Sequence, residues 1–197
     1  NIARNSDIIL ACMGEYPSTE KPGDIHSLDL EEAQIEYVKG LAKLGKPIVL
    51  VLVENRARII REIEPLCESI ILAYQPSENG SDALANIISG EINPSGKLPI
   101  TYQKYTNSLI LYDHKYTDQI NLDNGLGAFE PQFEFGHGLS YTNFEYSDLK
   151  VNKTDDNKLI HISVNVTNKG NHDGKESVLV FVSDLYASIT PSVKRLR

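Results

Sequence analysis

The sequence has no tryptophan, one methionine and only two cysteines in 197 residues. Two thiols cannot form the disulfide framework that holds small secreted scaffolds together, so the chain must fold on an ordinary hydrophobic core. Its length suffices for one or two domains. Cys12 lies in an apolar run and Cys67 near the end of a helical pattern. Both read as buried free thiols and assign no redox compartment. Cationic residues are in the minority, 19 against 27 acidic ones, and the net charge of −8 repels phosphate backbones and anionic membrane surfaces. Nucleic acid is excluded as a partner on that ground. No apolar run approaches the roughly 20 residues of a membrane-spanning helix, and the opening NIARNSD lacks a signal-peptide pattern. The chain therefore reads as starting inside a mature or truncated protein. Glycine spacing of a dinucleotide fingerprint or P-loop is missing, as is the GxSxG nucleophile elbow. The histidines at 26, 114, 137, 161 and 172 have no metal-ligand spacing. No metal and no cofactor is assigned.

What is present alternates regularly through the first half. DIILACM (7–13) and IVLVLV (48–53) read as strands buried on both faces of a parallel sheet, and SIILAY (69–74) as a third. Between them, Ile35, Val38, Leu41 and Ala42 recur at helical spacing from Glu31 to a stop at Gly45. Ile59, Ile60, Ile63 and Cys67 give a second helical stripe that Pro65 kinks or shortens. Leu84, Ile87 and Ile88 predict a short helix ending at Gly90, and KLPITY (97–102) a further strand. The fold class is α/β, an open, mainly parallel sheet with helices on both faces, that is, an α/β sandwich over 1–102.

Residues 103–143 lack periodicity but carry aromatics and glycines, which predicts an ordered connector. From Phe144 the pattern becomes all-β, with FEYSDLKV, LIHISVNV and SVLVFVSD separated by turns such as TDDN and NKGNHDG. Too few strands follow to close a sandwich, so 144–197 reads as a truncated β-sandwich. Its exposed edges predict lower stability there than in the α/β part.

Ligands of an open parallel sheet gather at the carboxyl ends of its strands. Three loops qualify: Gly14–Leu28, Glu54-Asn55-Arg56, and Gln75–Asp82 with Glu78, Asn79 and Gly80. The first exceeds a routine connection of about 2 to 6 residues and carries Glu15, Glu20, Lys21 and Asp24. A loop carboxyl can act as general acid/base when its surroundings tune it, and spacing alone leaves Glu15 and Glu20 both open, as catalytic groups or as solvated charges.

GEYPSTEKPGD, GKPIVLVLV, GEINPSGKLPITY, FEFGHGLSYTNFEYSDLKV and DGKESVLVFVSDLYASITPSVKRLR, in that order, resemble family 3 glycoside hydrolases over nearly the whole chain. NPSGKLPITY and FGHGLSYTNF are the most specific pieces. The resemblance implies a retaining β-glycosidase of the β-glucosidase or exo-β-glucanase type, built from a barrel bearing an aspartate nucleophile, an α/β sandwich and a fibronectin type III-like domain. This chain matches the second part and the start of the third. The second glutamate of the loop, Glu20, matches the family's acid/base. The implied partners are a β-linked oligosaccharide or glucoside and the barrel of the same protein, and the implied location is periplasmic or extracellular. On this resemblance the chain alone is inactive.

Asn55 and Ala57 depart from a GRP-like turn, Ser77 and Asn79 from a PGEEG-like loop, and His137 stands where tyrosine is common. Phe133, Phe135, Tyr141 and Phe144 read as sealing the connector rather than stacking on sugar. The Asn-x-Ser/Thr triplets at Asn79, Asn152 and Asn165 matter only in a glycosylating host. The alternative function is a non-catalytic carbohydrate-binding or cell-surface module.

Overall fold

A computed structural model describes residues 2–108, 110–119, 129–154 and 158–197. Its centre is a three-stranded parallel sheet, β1 (Ile9–Gly14), β2 (Ile48–Val53) and β3 (Ser69–Leu72), in the order β1-β2-β3. Register runs from Ile9 opposite Ile48 to Gly14 opposite Val53, and from Val49 opposite Ser69 to Leu52 opposite Leu72. The unbroken apolar run of β2 suits the central strand, where Ile48, Leu50, Val51 and Leu52 are buried. In β1 only alternate residues are buried: Ile9 and Ala11 face the core while Leu10 and Cys12 are exposed. This corrects the expectation of a strand covered on both faces. It also corrects Cys12, which is exposed, while Cys67 is half-buried.

Helix α1 (Glu32–Ala42) follows β1, with Glu32 in the first turn and Lys39 in the last, each matched to the helix dipole. Its Val38 joins the core beside Ile9, Leu30, Leu50 and Ile63. Helix α2 (Gly80–Ile88) follows β3 and gives way to Gly90 at φ 82, a left-handed stop that glycine adopts without strain.

The helix expected over 59–67 does not form. Ile59 instead bridges the 28–30 segment, its N–H donating to the Leu28 carbonyl and its own carbonyl accepting from Leu30 N–H, so that carbonyl is taken from an α-helical ladder. Pro65 removes a further donor, and only a 3₁₀ turn, Glu64–Leu66, remains. Ile59, Ile60 and Ile63 are nonetheless buried, which is what their spacing reported.

KLPITY is likewise not a strand of the sheet. Leu98 and Tyr102 instead exchange backbone hydrogen bonds with the 132–137 segment, and Pro99 cannot donate to a ladder. That pairing orders part of the connector: Phe133 meets Tyr102 edge-on and stacks on His137, while Phe135 stacks on Tyr112. The Tyr141 hydroxyl donates to the Ile87 carbonyl of α2.

Beyond it, β4 (Phe144–Lys153) and β5 (Ile160–Asn168) form an antiparallel pair with an irregularity between Ser147 and Lys150. The strand expected over SVLVFVSD narrows to β6 (Phe181–Val182), paired with β7 (Arg195–Leu196). The expected TDDN turn lies outside the described residues, at Asp155 to Asn157. Among the described residues no helix is long and apolar enough to cross a membrane.

Candidate active-site loop

All three strands end at the same edge, and the loop leaving β1 is fixed there by one glutamate, one glutamine and two arginines. Gly14 begins it at φ 151, with its α-carbon so close to the Val53 carbonyl that a Cβ would lie 1.9 Å from that oxygen. Only glycine fits this approach. Gln34 of α1 then grips the Gly14 peptide from both sides: Gly14 N–H donates to Gln34 Oε1 at 2.9 Å, and Gln34 Nε2 donates to the Gly14 carbonyl at 2.8 Å.

Glu15 points inward. Its side chain is 9% exposed and faces the turn after β2. Asn55 and Arg56 donate their backbone N–H groups to Glu15 Oε1 at 3.0 and 3.1 Å, and Arg56 Nη2 donates to Oε2 at 2.9 Å. Arg58 Nε stands 3.6 Å from the same oxygen, an ion-pair distance. Burial works against ionisation of Glu15, but the Arg56 guanidinium and the two backbone donors outweigh it and hold its pKa below the ordinary value. Glu15 is thus an ionised clamp.

The two arginines carry the clamp to the far end of the loop. Arg56 Nη1 donates to the Gly23 carbonyl, and Arg58 Nη1 donates to the Ser27 carbonyl at 2.9 Å. The loop is held at residues 14, 15, 23 and 27, and Tyr16 to Lys21 project between these anchors. Glu20 is on that projection, exposed to solvent, with φ 53 and ψ −149. This backbone region belongs almost wholly to glycine, and non-glycine residues held in it concentrate at functional sites. Tyr74 and Ser77, in the loop after β3, also have positive φ, at 52 and 54, so strain gathers at this edge of the sheet.

The loops named from the sequence therefore share one end of the sheet, but their residues divide by role. Glu15 and Arg56 build the frame, and Glu20 and Lys21 lie on the projecting part. Glu78 and Asn79 are exposed before α2. Sequence reasoning gave no role to Glu54, Arg58 or Tyr102. Glu54 is 1% exposed directly below the clamp, and Tyr102 is buried against it. Burial pushes Glu54 up to about 7, against the pull of the Arg58 N–H and the Arg58 charge. A carboxylate placed directly after the six-residue apolar run of the central strand, Ile48–Val53, was the available signal. No group of three His, Cys, Asp or Glu side chains among the described residues is placed to hold a metal.

A parallel sheet with helices, carrying a long loop with two glutamates at its carboxyl edge, defines an α/β domain whose candidate site lies in the loops beyond the strand ends. Residues 1–141 match the glycosyl hydrolase family 3 C-terminal domain, and the chain belongs to that family. It is 38% identical to the lysosomal beta glucosidase of Dictyostelium discoideum over all of this chain and 25% of that protein. To the thermostable beta-glucosidase B of Acetivibrio thermocellus it is 34% identical, over 99% of this chain and 28% of that one. Among solved structures, a beta-glucosidase from Listeria innocua in complex with isofagomine superposes with a TM-score of 0.87 at 27% identity, over 99% of this chain and 29% of that one. A b-glucosidase from Erythrobacter marinus gives 0.85 at 31% identity, over 100% and 27%. The chain spans about a quarter of the length of the curated relatives it matches.

Proposed function

We propose that this chain is the acid/base-bearing part of a retaining β-glycosidase that removes terminal β-D-glucosyl or related residues from oligosaccharides. Glu20 is its acid/base, and the nucleophilic aspartate comes from a barrel portion of the same protein. The observation that carries the reading is the contrast within one loop, with Glu15 buried in a guanidinium clamp while Glu20 is exposed on the strained segment between the anchors.

In the first step the barrel aspartate attacks the anomeric carbon as Glu20 gives its proton to the departing glycosidic oxygen. In the second, Glu20 takes a proton from the water that releases the sugar. The clamp's contribution is to fix where the loop leaves and re-enters the sheet, so that the tip can meet a carboxylate on another domain at the roughly 5 to 5.5 Å of a retaining pair.

Residues 144–197 we assign to a fibronectin type III-like β-sandwich. The antiparallel β4–β5 pair supports this, with exposed Leu149, Val151, Ile160 and Ile162 that further strands would cover. We keep 102 and 143 as the proposed divisions; the antiparallel β4–β5 pair that begins at Phe144 supports the second. A location outside the cytosol, periplasmic or extracellular, accords with relatives named as lysosomal and periplasmic.

The test is kinetic, in the barrel-containing parent protein. Glu20→Ala should lower turnover of an unactivated β-glucoside by roughly 10² to 10⁴. It should spare bond cleavage in a dinitrophenyl glucoside, let the glycosyl-enzyme accumulate, and respond to azide by forming a β-glycosyl azide. Azide rescue of Glu15→Ala but not of Glu20→Ala would overturn the assignment.

A further inference from the structure

Directly beneath the clamp, the hydrogen bonds around Glu54 contain one proton too few for an ionised carboxylate. Tyr102 has a single hydroxyl proton, and its oxygen lies 2.6 Å from the Arg58 carbonyl and 3.2 Å from Glu54 Oε1. The short contact takes the proton. The longer one then closes as a hydrogen bond when Glu54 donates, which requires a protonated carboxyl; the same Oε1 also accepts from Arg58 N–H at 3.1 Å. The other oxygen, Oε2, is buried with no hydrogen-bond partner, tolerable for a neutral acid and costly for a carboxylate. The groups facing Glu54 come from every neighbouring segment: Arg58 from its own turn, Glu15 from the loop after β1, Tyr74 from the loop after β3, and Tyr102 from the segment paired with 132–137.

Arg58 is the arginine less tightly tied to Glu15. Its Nε has no hydrogen-bond acceptor and reaches Glu15 only at 3.6 Å, whereas Arg56 bonds Glu15 at 2.9 Å. We propose that Glu54 is a positioning residue, a neutral buried carboxyl whose ionisation draws Arg58 away from Glu15 and the Ser27 carbonyl and so releases the far anchor of the loop that carries Glu20. Burial sets the titration of Glu54 in the neutral range, so the device acts near pH 7. The effect on the loop stands by itself, and its effect on catalysis rests on the reading of Glu20 as acid/base.

Hydrogen exchange of residues 15–28 in this chain, corrected for the intrinsic pH dependence of amide exchange, tests the loop directly. Opening linked to release of one proton should rise by up to about tenfold per pH unit as pH climbs toward the closed-loop titration, and level off above it. Protection should therefore fall between about pH 5 and 7.5 and then stay level, while β1 and β2 stay unchanged. Glu54→Gln, which cannot ionise, should give protection independent of pH. Carboxyl ¹³C titration of the unsubstituted chain supplies a readout that needs no variant to fold, and one glutamate should titrate above pH 6. Constant loop protection across this range, an equal fall in Glu54→Gln, or ordinary titration of every glutamate would each overturn the proposal. In the barrel-containing parent, Glu54→Gln should move the alkaline limb of kcat/KM to higher pH. A loop that responds while that limb stays fixed would leave the device standing and count against Glu20 as the acid/base.

Discussion

Removing the Glu15 carboxylate should expose the difference between the two glutamates as a stability difference. In Glu15→Ala the N–H groups of Asn55 and Arg56 lose their acceptor, Arg56 loses a 2.9 Å charge-assisted bond, and Arg58 loses its facing charge. Breaking a buried ion pair from one side costs about 3 to 5 kcal/mol. The Arg56 side chain is 31% exposed and regains water, whereas Arg58 is 9% exposed and does not. The discounted cost is about 2 to 3 kcal/mol. Glu15→Gln keeps an acceptor for the backbone donors and should cost about half as much. Glu20→Ala removes an exposed side chain and should change stability by less than about 0.5 kcal/mol. Urea unfolding at pH 7, followed by far-UV circular dichroism and tyrosine fluorescence in this tryptophan-free chain, measures all three. The pH dependence has a definite sign: Glu15 has a depressed folded pKa, so its stabilisation is present above the unfolded value of 4.5 and disappears as pH falls through the lower folded value. The gap between the unsubstituted chain and Glu15→Ala should close in acid. A cost for Glu20→Ala equal to that for Glu15→Ala, or a gap that widens in acid, would refute the division of labour in this loop.

Glu54 should give the opposite pH dependence. Its folded pKa is raised from 4.5 to about 7, so its contribution is complete below 4.5, declines as pH rises to about 7 and is level above. The decline amounts to about 3 kcal/mol, and Glu54→Gln should abolish it in unfolding curves taken from pH 4 to 8. Gly14→Ala places a Cβ 1.9 Å from the Val53 carbonyl oxygen at a φ of 151 and should cost more than about 3 kcal/mol or prevent folding, as thermal melting would report. Cys12 is exposed, whereas burial raises the Cys67 thiol to about 11 and its Sγ donates to the Ile63 carbonyl. A disulfide reagent at pH 8 should therefore label Cys12 in the native chain and reach Cys67 only after unfolding.

Local patterns carried most of the fold, and pairings distant in sequence decided the remainder. The apolar runs of β1, β2 and β3 and the 3.6 spacing of α1 were legible because each is set within a dozen residues. The stripe Ile59, Ile60, Ile63 and Cys67 reported burial correctly and secondary structure wrongly. Helical spacing records which side chains face a core, not where the backbone N–H groups go, and here Ile59 donates to Leu28 while Ile63 and Cys67 donate only three residues back, to Ile60 and Glu64. Tyr102 was read as the end of a strand, yet its hydroxyl closes a network with Glu54 and Arg58, residues 48 and 44 positions earlier.

The same limit separates Glu15 from Glu20. Both are loop glutamates after a buried strand, and composition treats them alike. Glu15 finds its partners 40 and 41 residues away, at Asn55 and Arg56, and those partners make it an ionised anchor. Glu20 has a backbone conformation that no local propensity favours for a glutamate, and it holds this because the loop is fixed on either side of it. On the proposed assignment, one short loop separates the two tasks: the charge that positions it, Glu15, is held in the clamp, and the group proposed to transfer the proton, Glu20, projects into solvent five positions on.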